Sequence, residues 1–508
     1  MAQHNRPSVY ALASIYVAIA AAWLAFAVWV VPPLLAAKDP GKTVSAVNWY
    51  ITGFASALLA HDIVGRWHQF TAAVLIAIFL HLTILVILRR LDGRSATGRA
   101  PADLRAERYS NLWLTFVSLV FLAVTLIAGP IQDYHHYLTM WYEVEQGHDP
   151  WFLVPSRDGI VPLNAYGPLF NLLTVLDCLN PLAPKLFFAY AYIVFVLLAT
   201  KAFTTSHGSS FVSMAGLTAL FWNPFPWVEI AILGHFDILL GVLCIGAIRA
   251  WTGGRDLLSG TCLAMAVLLK YFPIGLLPFL ALDRGRIRWK LLVVAVTLIA
   301  LGMGCSYLVW GPTLFKPLTF AATRQSHFMS IFYFLRGQHS PVRWLMEFPN
   351  LDPLAPVVLF VALLRAWSWY RTRHVDIEAA SVVAVTTTAL LYQTGYPQYY
   401  MVPFVLGADW VARHWRILRD RPGRVIAIAS YLAWLAVLDS YYLYFTSDDG
   451  PRSWNVLVEV AGLPTFLFGC ACLAGVVLSA GRSGDGAVDQ PESRVLGTTP
   501  APGGLADG

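Results

Sequence analysis

Apolar runs long enough to cross a lipid bilayer recur from one end of this 508-residue chain to the other. A spanning helix needs about 20 such residues, and LWLTFVSLVFLAVTLIAGPI at 112–131 is one instance. Backbone groups in lipid must find their hydrogen bonds within the segment, so runs of this kind fold as helices. They are continuously apolar rather than alternating, which excludes a β-barrel. Charge is correspondingly scarce, 13% of residues against about a quarter in soluble domains. The expected fold is all-α: an integral membrane helical bundle of about 12–14 transmembrane segments, with loops and interfacial helices on its outer face.

Arginine and lysine favour the cytoplasmic side, and RRLDGRSATGRAPADLRAER at 89–108 holds six arginines. With that loop inside, residues 131–183 lie outside and contain Arg157 as their one Arg or Lys. Spans are expected at 10–36 and 69–90, at 111–130, and near 184–204, 209–226, 233–252, 289–311, 353–370, 378–394, 398–414, 424–445 and 455–480. The first run is too long for a signal peptide and has no small-residue cleavage site, so it reads as a retained span. Residues 1–95 form an N-terminal helix pair, 96–480 the main bundle, and 481–508, rich in Gly and Pro, a disordered cytoplasmic tail. Between Arg255 and Arg284 an apolar stretch has two cytoplasmic flanks but is too short for two spans. Two half-helices meeting at Lys270-Tyr271-Phe272-Pro273 fit, a break tolerated where it lines protein or a cavity. The six cysteines (Cys178, Cys244, Cys262, Cys305, Cys470, Cys472) lack metal-ligand or disulfide spacing and read as packing residues.

Titratable residues gather at one face. QDYHHYLTMWYE at 132–143 follows the span ending near 130. It reads as an amphipathic interfacial helix whose apolar face is Tyr134, Leu138, Trp141 and Tyr142, placing Asp133 at the bilayer surface. A carboxylate there is either a solvated loop residue or a general base for a hydroxyl. Glu229, His235 and Asp237 cluster near the outer end of a span. Such groups face the bundle interior, and a lone intramembrane histidine is more often packed and hydrogen-bonded than catalytic. Lys270 suits an anion such as phosphate at the membrane surface. The outer segment 312–352 departs from the positive-inside pattern with Lys316, Arg324, Arg336 and Arg343, and also holds His327 and His339. Cations kept outside invite an anionic lipid phosphate, as substrate or as plain headgroup. No Walker A loop, GxSxG elbow, HExxH or CxxC is present, and no nucleic-acid module.

Short motifs follow one another in order: Asp133, Tyr137, Gly147, Pro150 and Trp151; then Tyr166-Gly167-Pro168-Leu169-Phe170; Asn223-Pro224; Gly234-His235; Lys270-Tyr271-Phe272-Pro273; and Gln398-Tyr399-Tyr400. Across roughly 110–415 this order resembles the GT-C superfamily of integral-membrane glycosyltransferases. In particular it resembles the polyprenol-phosphate-mannose-dependent mannosyltransferases of phosphatidylinositol mannoside synthesis and the first mannosyltransferase of GPI synthesis. Two positions depart from the pattern: His235 replaces the usual glutamine, and Gly167 the usual second proline.

The resemblance implies transfer of a sugar, mannose, from a polyprenyl-phosphate donor to a lipid or glycan acceptor at the outer face of a bacterial plasma membrane. Asp133 would be the base; Lys270 with Arg324 or Arg336 would neutralise the leaving phosphate. His135, His136, Tyr137, Glu143, Tyr166, His235, His327, Gln398 and Tyr399 complete the expected substrate-binding set. Neither a metal nor a cofactor is expected, because adjacent histidines on a helix point apart; the partners are the two substrates and membrane lipids. The competing reading is a lipid-linked-saccharide flippase or other transporter, whose site would lie near the bilayer midplane.

Overall fold

The computed structural model describes residues 101–480 apart from 131, 157–158, 208–215, 219, 284, 325, 337–353, 374, 419–420 and 447–456. The expected N-terminal helix pair, part of the expected 209–226 span, the C-terminal tail, His339 and Arg343 therefore lie outside the described residues.

The longer helices are α1 (Pro101–Ala128), α2 (Gln132–Glu145), α3 (Ala183–His207), α4 (Asp237–Thr252), α5 (Asp256–Leu269), α6 (Trp289–Trp310), α7 (Leu354–Thr372), α8 (Ile377–Leu391), α9 (Met401–Leu418), α10 (Pro422–Thr446) and α11 (Leu463–Ala480). Among the described residues three stretches are long and apolar enough to cross a membrane: Ala183–Lys201, Trp289–Ala321 and Val458–Ala480. The number rises to five if α1 with α2, and Pro224–Ile232 with α4, each count as one broken span. α5 packs between α4 and α6, α10 lies along α11, and α8 touches α7, α9 and α11. Strands are few: a hairpin of β1 (Leu153–Ser156) and β2 (Gly159–Pro162), a two-residue ribbon at 282–287, and a parallel pair of β3 (His327–Phe328) with β4 (Thr394–Gly395).

Chain breaks position the site. α5 ends at Leu269, Lys270 is extended, and the chain resumes as a 3-10 turn (Phe272–Leu276) and a short helix (Leu277–Ala281). This is the expected pair of half-helices, with prolines in the first turn of each resuming piece, where a missing N–H leaves no bond unmade. Gly167 lies against this break. Its N–H donates to Leu269 O at 3.0 Å, and a Cβ there would sit 2.2 Å from Leu268 O. Glycine at 167 is thus a close backbone approach, which ties Tyr166 to Lys270.

A second break follows Asn223, whose side chain caps Phe225 N at 2.9 Å ahead of Pro224. The helix widens to a π-turn (Trp227–Ile232) and turns through 115° into α4. Gly234 makes that corner with φ +71°, a left-handed conformation that favours glycine.

Candidate active site

α2 presents Asp133 from its first turn. Its buried stripe is Tyr134, Tyr137 and Trp141, with Met140, the i, i+3, i+7 spacing of one helix face. Tyr142, expected on the apolar face, is 55% exposed, because it falls about 100° round the helix from Trp141. Tyr137 is core instead. Trp141 Nε1 donates to Phe170 O at 3.1 Å.

His235 is the hub. Its Nδ1 lies 2.6 Å from Glu229 Oε2 and its Nε2 3.0 Å from Asp133 Oδ2. The ring is 3% exposed, whereas the Asp133 side chain is 47% exposed and so reaches open space. Burial opposes ionisation of Asp133, but the hydrogen bond and charge of His235, with His136 and Lys270 adding to them, outweigh it and hold the carboxyl below its ordinary value.

Next to this group, Lys270 Nζ donates to buried Asp237 Oδ1 at 2.6 Å. Aromatic rings of Tyr399, Phe236 and Tyr166 surround the ammonium at 4.4, 5.5 and 5.6 Å, a cation–π setting. The two clusters meet through Tyr166 Oη, which donates to Tyr137 Oη at 3.3 Å. Gln398 is buried beside Tyr399, and its Oε1 has no hydrogen-bond partner among the described residues.

Arg324 reaches the same aromatic wall: it donates to Tyr396 Oη at 2.7 Å, and Tyr396 packs on Tyr399 at 5.6 Å. β3 is pinned to β4 close by, and the His327 ring packs on Phe328 and Tyr333. Arg336 binds Ser326 Oγ at 3.1 Å. Two expected residues point elsewhere. Glu143 pairs with exposed His148 at 2.6 Å, and His135, about 100° round α2 from buried Tyr134, is exposed. Among the described residues no set of three His, Cys, Asp or Glu is arranged to hold a metal ion.

Four residues of this neighbourhood are missing from the expected substrate and catalytic set: Glu229 and Asp237, noted in the sequence only as a cluster at a span end, and Asp439 and Lys185. Lys185 is 0% exposed. Its ammonium donates to Gly129 O at 2.6 Å and Ile232 O at 2.7 Å, joining the end of α1 to the end of the π-turn. Its backbone N–H reaches Tyr134 Oη at 3.2 Å, and that hydroxyl donates to Pro181 O at 2.6 Å. The available signal is that an ionisable residue inside an apolar run has a buried job.

Long apolar helices frame this site, and its titratable side chains converge at the chain breaks between them. Residues 164–394 match the model for Glycosyltransferase family 87, a stretch slightly under half of the chain. It takes in Tyr166, His235, Lys270, Arg324, His327 and Arg336, and stops short of Gln398 on one side and Asp133 on the other. A solved structure, ArnT from Cupriavidus metallidurans bound to undecaprenyl phosphate, is 14% identical with a TM-score of 0.40, over 72% of this chain and 78% of that one. No curated protein matches the chain.

Proposed function

We propose that this chain is a membrane glycosyltransferase of the GT-C kind that moves mannose from a polyprenyl-phosphate donor to a lipid or glycan acceptor, at the outer face of a bacterial plasma membrane. The observation that carries the reading is Asp133: a carboxylate open to space on one side and held by His235 on the other, beside a lysine in an aromatic cradle. In the transfer, the acceptor oxygen attacks the anomeric carbon and its proton passes to Asp133. The bond from that carbon to the donor phosphate breaks, with its electron pair going to the phosphate. Lys270, with Arg324 on the adjoining wall, stabilises that growing charge. Direct attack inverts the anomeric configuration. The donor tail stays in lipid, and the sugar lies against Tyr166 and Tyr399, with buried Tyr137 backing Tyr166. The remaining expected ligands, His136, His327, Arg336 and Gln398, are assigned to substrate binding around this centre.

The test is transfer of radiolabel from polyprenyl-phosphate mannose to a membrane-lipid extract by purified protein in liposomes, wild type against Asp133→Asn. Label moving to a new product, and lost in the variant, supports the reading. Transfer that survives Asp133→Asn removes Asp133 as base. No transfer from mannose, glucose or arabinose donors would favour a flippase instead.

A further inference from the structure

Behind Asp133 a line of titratable groups runs into the bundle, and its hydrogen-bond geometry restricts where the protons can sit. Both ring nitrogens of His235 face carboxylate oxygens. A neutral imidazole has one N–H and one lone pair, so a ring that donates from both sides is an imidazolium. Glu229, on the π-turn, is fully buried, and so is Asp439 of α10. The helix carrying Asp439 packs against the segment ahead of the π-turn and Asp439 interacts with Glu229; among the described residues no N–H or hydroxyl donor reaches either Asp439 oxygen or Glu229 Oε1. Two neighbouring carboxyls in a dry interior cannot both be ionised. One proton on Asp439 supplies the donor that Glu229 Oε1 lacks. With Asp439 neutral, Glu229 and Asp133 anionic and His235 cationic, the line carries one net negative charge. Asp133 is the member through which it reaches open space.

We infer that Glu229 and Asp439 are positioning residues for the transfer reaction: acting through His235, they keep Asp133 ionised, with one oxygen fixed and the other free for the acceptor hydroxyl. This rests on Asp133 being the base. The abstracted proton goes to the free Asp133 oxygen, since His235 already carries both of its own. Other groups facing Asp133 are His136 and Lys270, with the phenols of Tyr137, Tyr166 and Tyr442. None of them can hold Asp133 Oδ2 as His235 does. A bystander histidine would need only one acceptor; the buried second carboxyl pair, drawn from the π-turn and α10, is what sets this arrangement apart.

The first test needs no substrate. The ring nitrogen resonances of His235 in 15N-histidine-labelled protein, assigned by loss in His235→Gln, should show imidazolium at pH 7.5 in wild type and neutral imidazole in Glu229→Gln. A neutral ring in wild type overturns the inference. The second test is the pH profile of kcat/KM for whichever polyprenyl-phosphate sugar supports transfer. Without its cationic partner Asp133 is left with its burial, so in Glu229→Gln the acidic limb should move up by about one pH unit or more. Asp439→Leu should shift it the same way, and Asp439→Asn, which restores an N–H donor to Glu229, should bring it back. A Glu229→Gln enzyme that is slower at every pH with an unmoved limb would show a structural role only. If Glu229→Gln does not fold, the two Asp439 variants decide. Transfer surviving in Asp133→Asn breaks the base reading itself. An inactive Asp133→Asn, together with unmoved limbs in Glu229→Gln and Asp439→Leu, breaks this inference alone.

Discussion

Lys185→Met tests whether the two chain breaks are held in register by one buried ammonium. Methionine has similar length and no donor. The change leaves Gly129 O and Ile232 O without the bonds they now accept at 2.6 and 2.7 Å. Each buried carbonyl left unpaired costs about 1–3 kcal/mol. Relief from burying an ammonium offsets part of that, leaving a net loss of about 2 kcal/mol. The functional effect should be larger than the stability effect. Gly129 lies just before Asp133 and Ile232 just before His235, so slack at Lys185 goes directly into the 3.0 Å contact between them. A displacement of about 1 Å at reacting groups costs on the order of 100-fold in rate. The assay is the midpoint of thermal inactivation in one detergent, together with the initial rate of sugar transfer. A variant with the wild-type midpoint and the wild-type rate would refute the reasoning. A lowered midpoint with an unchanged rate would reduce Lys185 to a stabilising contact with no part in aligning the site.

Two further outcomes are expected. Burial first, and the charge of Glu145 second, push the Asp177 carboxyl up to about 6; the fold therefore favours its protonated form, and stability from this group falls as pH rises from the ordinary carboxylate value through 6. The thermal midpoint should be higher at pH 5 than at pH 7.5, and Asp177→Asn should flatten that slope and raise the pH 7.5 value; an unchanged slope would discount the group. Gly234→Ala puts a Cβ 2.7 Å from Tyr134 Cδ2 at a residue with φ +71°, which costs about 1–2 kcal/mol in backbone strain alone and displaces the helix carrying Asp133. The expected reading is at least a roughly 10-fold loss of kcat, and wild-type kcat in a folded variant would show that the corner adapts.

Much of the fold was legible because lipid leaves a chain few choices. Long apolar runs had to be helices, and proline with lysine inside a run too short for two spans marked the break at Lys270. Asp133 was legible for a related reason: a carboxylate directly after a span stands out against its surroundings. The partners of these residues were not legible. Asp439 lies within an apolar stretch far along the chain from Glu229, and only the packing of α10 against the segment ahead of the π-turn brings them together. Helical spacing puts Glu229 and His235, almost two turns apart, on roughly one side, but the π-turn and left-handed glycine that shape their bond leave no mark in that spacing. Lys185 follows the same logic. Its two acceptors are backbone carbonyls at breaks in other segments, and no side-chain pattern announces a carbonyl.

The departure from the family pattern at His235 becomes intelligible once its neighbours are known. A glutamine offers an amide donor at one end and an acceptor at the other. It could donate to Asp133 or to Glu229 through one terminus, but could not bridge two carboxylates on opposite sides, nor carry charge. An imidazolium does both: two donors pointing apart, with a positive charge between two negative ones. Placing such a group in an apolar bundle is tolerable only where its second donor also meets an anion, and that is the place Glu229 fills. A histidine at 235 and a glutamate at 229 are therefore one feature rather than two. Asp439 belongs with them, since Glu229 Oε1 needs a donor that no other described residue supplies. The corner glycine serves the same end. Only a chain that turns sharply between residues 232 and 237 brings the ring back against Glu229 while leaving its far edge on Asp133.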